Sequence, residues 1–166
     1  EKFMRDYLAL PVLIEQKSEK EKFAGAETTY GVEAMMKDGK SLQAATSHYL
    51  GQNFSKMFNV SFKNENNQLI NVYQTSWGLS TRSIGAIIMA HGDNRGIIIP
   101  PKIAPIQVDL IEVLANKDKN VITIANQLKK ELEENGIRVR VDKSDKTIGF
   151  KAAQSEIEGV PIRIEI

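Results

Sequence analysis

Short segments of strand character, rich in apolar and β-branched residues, dominate the chain before residue 97. Residues 11–16, 28–36, 42–48 and 69–75 are predicted to form β-strands, the first of them a short apolar one. Asp38-Gly39 lies between the second and third of these runs. An Asp-Gly pair between two such segments is a strong hairpin signal. The pattern therefore predicts a strand-rich segment with an antiparallel hairpin near its centre.

Two helical patterns interrupt these strands. Residues 52–58 indicate a short amphipathic turn or helix. A longer helix is predicted after Ser80 and Thr81, which are good N-cap residues, and Gly92 stands in the position of a C-cap glycine. The apolar face of this helix is predicted to consist of Ile84, Ile87, Ile88 and Met89.

After Pro100-Pro101, strand and helix patterns alternate. Strands are predicted at residues 106–114, 137–141 and 160–166, and helices at residues 120–135 and 151–158. The longer helix should bury Ile124, Leu128 and Leu132. Alternation of this kind implies parallel strands joined by helical crossovers. We therefore predict two domains, residues 1–99 and residues 100–166.

Composition limits the possible functions. The chain has 166 residues and no cysteine, so disulfides and thiolate metal sites are excluded. Its net charge of +1 argues neither for nor against nucleic-acid binding, so any such site must be local. No run of apolar residues approaches the length of a membrane span. We expect a cytoplasmic protein without membrane contact. The first residues resemble the middle of a helix and the last form an unclosed strand, so we expect an internal fragment of a longer polypeptide.

Arg82 is the first candidate for chemistry, because it falls in the first turn of the helix after Ser80. A cation at a helix N-terminus is locally unfavourable. An anion there would be held by the guanidinium and by free backbone N–H groups together. The alternative is a solvated arginine at a helix start, which spacing alone favours.

Three stretches of the chain resemble prolyl-tRNA synthetases. These are Glu-Lys-Glu-Lys-Phe-Ala-Gly-Ala at 19–26, Leu-Gln-Ala-Ala-Thr-Ser-His-Tyr-Leu-Gly-Gln-Asn-Phe at 42–54, and Ser-Trp-Gly-Leu-Ser-Thr-Arg with His-Gly-Asp at 76–93. The third resembles that family's version of class II synthetase motif 3, in its eukaryote-like branch. Residues after Pro101 resemble the start of an anticodon-binding domain. The resemblance implies the C-terminal part of an antiparallel-sheet catalytic domain, followed by the start of an α/β domain.

The resemblance implies an enzyme that joins proline to its tRNA in two steps. Proline attacks the α-phosphate of ATP, which gives prolyl-adenylate and pyrophosphate, and the tRNA terminal hydroxyl then takes the prolyl group. ATP with Mg²⁺, proline, the tRNA for proline and a homodimeric full-length protein are the implied cofactors and partners. Motifs 1 and 2 are not in the chain. We therefore expect the isolated chain to be inactive, and to fold poorly because its sheet edges are exposed.

The resemblance also implies residue roles. Arg82 would clamp ATP phosphates and act in catalysis, and Gln43 and Thr46 would hold the nucleotide. The wall of the proline pocket would consist of His48, Ser76, Trp77 and Gly78. No metal ligand is implied. Residues three apart in a regular strand face opposite sides, so Gln43 and Thr46 can reach one nucleotide only if the strand bulges or bends between them. Without the resemblance, His48 and Trp77 would more often be core residues.

Other functions stay open at this point. A non-catalytic paralogue could keep the fold and act as an RNA-binding or regulatory protein. A sister synthetase for another amino acid is less favoured, because Thr-Ser-His at 46–48 and Ser-Trp-Gly at 76–78 resemble the motifs of prolyl enzymes. In the second domain, basic residues are candidates for contact with tRNA: Lys102, Arg138, Arg140, Lys143, Lys146 and Lys151.

Overall fold

The computed structural model describes all 166 residues and contains nine strands and five helices. They form two compact units, one built mainly from residues 10–86 and the other mainly from residues 87–166. Helix α3 (Arg82–His91) begins in the first unit and ends in the second. The domain boundary predicted between residues 99 and 100 stays a prediction.

The first unit is built on a four-stranded antiparallel sheet. Before α3 the chain forms α1 (Lys2–Asp6), β1 (Val12–Gln16), β2 (Thr28–Met35), β3 (Ser41–Gly51), α2 (Asn53–Met57), β4 (Ser61–Lys63), β5 (Leu69–Asn71) and β6 (Gln74–Leu79). The sheet has the order β1-β2-β3-β6. The predicted hairpin is confirmed: β2 and β3 are antiparallel, and at the tip Gly39 has φ +80° while Asp38 accepts from the backbone N–H of Lys40 at 3.1 Å.

The single strand predicted at residues 69–75 is wrong. The structure divides it into β5, which pairs with β4 in a separate two-stranded sheet, and β6, which continues to Leu79 in the main sheet. The amide of Asn71 donates to the carbonyls of Ser55 and Val60, and this holds the end of β5 away from the main sheet. β4 was not predicted. Its turn depends on Asn64, whose side chain accepts from the N–H groups of Asn66 and Gln68.

Helix α3 is rotated relative to the predicted apolar face. Its buried residues are Ser83, Ala86 and Ile87, whereas Ile84, Ile88 and Met89 are about half exposed, at 56%, 50% and 49%. Only Ile87 of the predicted face is therefore buried. Ser83 and Ala86 are small or polar residues, to which hydrophobic periodicity gives little weight, so the pattern did not identify the buried side.

The second unit is an α/β unit with a parallel sheet, as predicted. Its elements after α3 are β7 (Val108–Ile111), α4 (Asn120–Glu134), β8 (Val139–Asp142), α5 (Ile148–Ile157) and β9 (Ile162–Glu165). The strand order is β8-β7-β9, and both pairs are parallel. All four residues of the central strand β7 are buried. The central strand β7, between β8 and β9, therefore lies in the core of this unit.

Two helical predictions in the second unit need correction. In α4, Ile124 is 49% exposed, and the fully buried residue is Ala125, one position later. In α5, the helix begins at Ile148 rather than at residue 151, because the hydroxyl of Thr147 caps it by accepting from the N–H of Phe150 at 3.3 Å. A Thr N-cap satisfies a backbone donor that the first turn leaves free.

The parallel sheet contains one nearly buried ion pair. Asp109 on β7 is 1% exposed and accepts two hydrogen bonds from Arg140 on β8, Nε–Oδ1 at 3.0 Å and Nη2–Oδ2 at 2.6 Å. Arg140 also donates to Glu158 at 2.6 Å. Hydrogen bonds from Gln154 and then from Arg140 hold the pKa of Glu158 below its usual range. One guanidinium thus joins β7, β8 and the end of α5.

Candidate functional site

A cleft of about 410 Å³ lies in the first unit, bordered by β3, β6 and the first turn of α3. All the residues that the resemblance assigned to ATP or proline line it: Gln43, Thr46, His48, Ser76, Trp77, Gly78 and Arg82. They come from two stretches separated by about thirty residues of sequence. Pairing between β3 and β6 brings these stretches side by side. The structure therefore brings these seven residues together in one place.

A bulge lies between Gln43 and Thr46, which is one of the two distortions, a bulge or a bend, that a shared nucleotide site would require. Along β2, Glu33 pairs with Gln43 and Val32 pairs with Ala45, so Ala44 is an extra residue in β3 without a partner on β2. Its methyl group is buried, at 3% exposure. An extra residue shifts the alternation by one position, which brings Gln43 and Thr46 to the same face of the sheet.

The register between β3 and β6 fixes the rest of that face. Gly78 lies opposite Thr46 and Ser76 lies opposite His48. Residues directly opposite each other in an antiparallel pair share a face. Trp77 is paired with Ser47, so its indole belongs to the other face, where the residue is 79% exposed. Trp77 borders the cleft, but its indole turns away from the side chains of His48 and Ser76.

Arg82 is the first residue of α3 and is exposed. Its backbone N–H lies 3.3 Å from the hydroxyl of Ser80, as expected for an N-cap, and its Nη1 donates to the backbone carbonyl of Gln43 at 3.3 Å. The guanidinium forms no ion pair with any carboxylate of the chain. The backbone N–H groups of Ser83 and Ile84 donate to the carbonyls of Ser80 and Thr81, so the expected free N–H groups are absent from this turn and the guanidinium is the group available to an anion.

His48 contacts two residues to which sequence analysis assigned no role, one through a hydrogen bond and one through ring packing. Its Nδ1 lies 2.9 Å from the hydroxyl of Thr29, and its ring centroid lies 5.0 Å from that of Phe23. Phe23 belongs to the 19–26 stretch that resembles a family signature, so the stretch itself was visible in the sequence. The sequence around Thr29 indicated only a strand, because the contact between Thr29 and His48 depends on the register between β2 and β3.

The cleft offers no metal site of its own. None of its lining residues carries a carboxylate, and no group of three or more His, Cys, Asp or Glu side chains in the chain is arranged to hold a metal ion. These residues therefore do not fit Mg²⁺ as direct ligands. In addition, none of the helices combines the length and apolar character needed to cross a membrane.

The basic residues of the second unit fall into two groups. Arg138, Arg140 and Lys151 are engaged in the fold: Arg138 donates to the carbonyls of Pro101, Lys102 and Ala104, and Lys151 is 6% exposed and donates to the carbonyl of Asp142 at 3.0 Å. Among the others, the ammonium groups of Lys102 and Lys146 lie over the rings of Tyr7 and Phe150, at 5.2 and 5.6 Å from the ring centroids. Lys143 and Lys146 border, with Lys151, a cavity of about 500 Å³ beside the carboxyl ends of β7 and β8.

Comparison with known proteins extends over the whole chain. Residues 103–166 match a family model described as an anticodon binding domain. The proline–tRNA ligase of Mycoplasma mobile is 66% identical over 164 residues, which is 99% of this chain and 34% of that protein. The corresponding protein of Mycoplasmopsis synoviae is 63% identical over 166 residues, again 34% of its length. The chain thus spans about a third of the length of these curated relatives.

A solved structure supports the same relationship. The crystal structure of prolyl-tRNA synthetase from Cryptosporidium parvum, complexed with L-proline and AMP, is similar with a TM-score of 0.89 and 44% identity. The match covers 99% of this chain and 36% of that one. The predicted fold class, part of a class II catalytic domain followed by an anticodon-binding domain, is confirmed. This chain is therefore a homologue of prolyl-tRNA synthetases along its whole length, as its sequence motifs indicated.

Proposed function

We propose that this chain is the part of a prolyl-tRNA synthetase that holds ATP and proline in its first unit and contacts tRNA with its second. The observation that carries the proposal is the convergence of seven motif residues on one cleft. In this reaction the proline carboxylate attacks the α-phosphate of ATP and displaces pyrophosphate, and the prolyl group of the resulting adenylate then passes to the terminal hydroxyl of the tRNA with release of AMP. Such transfers depend on positioning and on charge stabilisation more than on a side-chain nucleophile.

The nucleotide end of the cleft is assigned to Arg82, Gln43 and Thr46. Arg82 supplies a guanidinium that has no carboxylate partner and lies at the positive end of α3, which suits the phosphates of ATP. The bulge at Ala44 brings the side chains of Gln43 and Thr46 to the same face, so both can reach one nucleotide.

The proline end is assigned to His48, Ser76 and Gly78, with Trp77 at its border. Gly78 has no side chain, and a Cβ built on it would meet nothing within 4 Å, so this wall is open. An open wall beside a hydroxyl and an imidazole suits a small amino acid whose carboxylate needs donors. The L-proline in the Cryptosporidium parvum enzyme is consistent with this assignment.

The second unit is assigned to tRNA. Lys143 and Lys146 border its cavity, and phosphate contacts from such lysines would supply affinity while base contacts would supply specificity. Mg²⁺ is expected to accompany ATP, but no residue of this chain is assigned to it. A homodimeric complete protein is also part of the proposal, and its mass in solution tests it.

The first experiment measures amino-acid-dependent ATP–pyrophosphate exchange on the complete protein that carries this chain, with each of the twenty amino acids in turn. The proposal predicts exchange with proline alone. Exchange with a different amino acid would keep the fold and overturn the assignment of the proline end. No exchange from a folded protein that binds RNA would favour the second candidate, a non-catalytic RNA-binding or regulatory paralogue.

Substitutions then test the two ends separately. Arg82→Ala should raise the KM for ATP and lower kcat by on the order of 100-fold or more, because a charge-assisted phosphate contact is lost. His48→Ala should raise the KM for proline more than that for ATP. Arg95→Ala, which removes an arginine from an exposed loop in the second unit, is the matched control. Equal and minor effects of the first two substitutions would refute the assignments.

A further inference from the structure

Thr29 is a buried hydroxyl residue directly behind the cleft. It lies on β2 opposite His48 on β3 and is 2% exposed. Its Oγ1 has two partners, the backbone N–H of Phe23 at 3.1 Å and Nδ1 of His48 at 2.9 Å. Thr29 is therefore the link between the 19–26 loop and a ring that borders the cleft.

Counting protons determines which nitrogen of His48 carries hydrogen. The N–H of Phe23 can only donate, so Thr29 accepts there. Thr29 still has one hydroxyl hydrogen, and Nδ1 of His48 is its sole remaining partner in the structure. If Nδ1 were also a donor, this buried hydroxyl hydrogen would be left unpaired, which is unfavourable. Nδ1 is thus the acceptor, and the proton of the neutral imidazole is on Nε2.

Aromatic packing keeps the imidazole in this orientation. The Phe23 ring packs against His48 with centroids 5.0 Å apart, and the Phe54 ring stacks on Phe23 at 6.1 Å. The loop backbone approaches closely at Gly25, where a Cβ would come within 2.9 Å of the Phe54 ring. Rotation of the imidazole would disturb this row of rings. Since Nδ1 is occupied, Nε2 is the nitrogen left for a ligand in the cleft.

We propose that Thr29 is a positioning residue that fixes His48 as a neutral Nε2–H donor toward the cleft. The ligand group that this donor recognises is an oxygen acceptor, namely the carboxylate of the amino acid and then the acyl oxygen formed from it. The identity of the ligand rests on the proposed function. The protonation site of His48 does not, because it follows from the contacts of Thr29 alone.

The matched variants are Thr29→Val, which keeps the shape and removes the hydroxyl, and Thr29→Ser, which keeps the hydroxyl. Thr28→Val changes the neighbouring threonine of β2, on the opposite face, and is the control. The first measurement is the ring ¹⁵N chemical shifts of His48 in the complete protein at about pH 8.5, where imidazole is neutral. His48→Asn identifies the signals by their disappearance.

The chain contains its own reference for this spectrum. Nε2 of His91 lies 2.8 Å from the carbonyl of Leu8, and a carbonyl can only accept, so His91 is also protonated on Nε2. Its signals should not change in any of the variants. We expect His48 to match His91 in the parent protein, in Thr29→Ser and in Thr28→Val, and to show mixed protonation in Thr29→Val. Protonation of His48 on Nδ1, or an unchanged spectrum in Thr29→Val, would overturn the proposal.

Kinetics separate positioning from general loss of structure. Thr29→Val should raise the KM for proline by about tenfold, the value of one good hydrogen bond, with the KM for ATP unchanged. Thr29→Ser should restore the parent value. Equal increases in both KM values would indicate a merely structural role and overturn the proposal. If the parent protein showed no exchange with proline, the proposed function would fail, while the ¹⁵N measurement would still decide the role of Thr29.

Discussion

Arg140→Met should destabilise the second unit strongly, because it leaves a buried carboxylate without its cation. Asp109 is 1% exposed, and Arg140 provides both of its side-chain hydrogen bonds, at 3.0 and 2.6 Å. Removing one partner of a buried pair typically costs about 3–5 kcal/mol. The side chain of Arg140 is itself 31% exposed, so its own loss of solvation is modest and the cost comes from Asp109. We expect about 3 kcal/mol.

Native-state hydrogen exchange of the β7 amides measures this cost locally, without assuming that both units unfold together. A loss of about 3 kcal/mol should accelerate exchange at Leu110 on the order of 100-fold. Arg163→Met is the matched control, because Arg163 lies opposite Asp109 on β9 and its side chain is 30% exposed. It pairs only with carboxylates that are 41% and 48% exposed, so its loss should cost under about 1 kcal/mol.

A double variant makes the reasoning refutable. Replacing a buried ion pair with apolar residues of similar volume is often neutral or stabilising. Asp109→Leu combined with Arg140→Met should therefore recover most of the lost protection. If the double variant were less stable than Arg140→Met alone, the cost could not come from an unpaired carboxylate. Equal effects of Arg140→Met and Arg163→Met would refute the argument from burial.

Three further predictions concern the same unit. Thr147→Ala should lower the free energy of unfolding by about 1 kcal/mol through loss of the α5 N-cap, measured by thermal denaturation. The pKa of Glu158 in the folded protein lies below its ordinary value of 4.5, so its contribution to folding stability is present above that pH and is lost as the pH falls. On acidification, the urea midpoint should therefore drop less in Glu158→Gln than in the parent protein. Gly159→Ala should be more destabilising in urea than Gly136→Ala: both have positive φ, but only the Cβ at 159 would come within 2.6 Å of the Ile97 carbonyl.

Each of these predictions has a result that would contradict it. Thr147→Ser should behave like the parent protein, and a loss as large as that of Thr147→Ala would exclude capping as the cause. An identical acid dependence in the parent and in Glu158→Gln would remove Glu158 from the acid transition. Equal destabilisation by the two glycine substitutions would show that backbone conformation, rather than the nearby carbonyl, sets the cost.

The β2–β3 hairpin and the parallel strand order were predictable because short-range signals encode them. Asp38-Gly39 specifies a turn through local backbone preference, and strand–helix alternation restricts the connections that are possible. The predicted bulge or bend followed from a requirement, that Gln43 and Thr46 reach the same ligand, combined with the alternation of a strand. The structure has a bulge at Ala44.

Other features depend on contacts that local patterns do not contain. The division of residues 69–75 between two sheets depends on hydrogen bonds from Asn71 to distant carbonyls. The buried face of α3 uses Ser83 and Ala86, which hydrophobic periodicity scores as weak. Thr29 became visible only through its register with His48. The residues that line the cleft could be predicted from the sequence, but Thr29, which positions one of them, could not.

The bulge at Ala44 has a consequence for how variation in β3 should be interpreted. In a regular strand, tolerance to substitution alternates between odd and even positions, since every second side chain faces the same environment. In β3 this alternation shifts by one position at Ala44. A saturation-mutagenesis profile of the strand should therefore show two regular segments out of step with each other. A gap-free alignment to a relative without the extra residue would assign every later position of the strand to the wrong side.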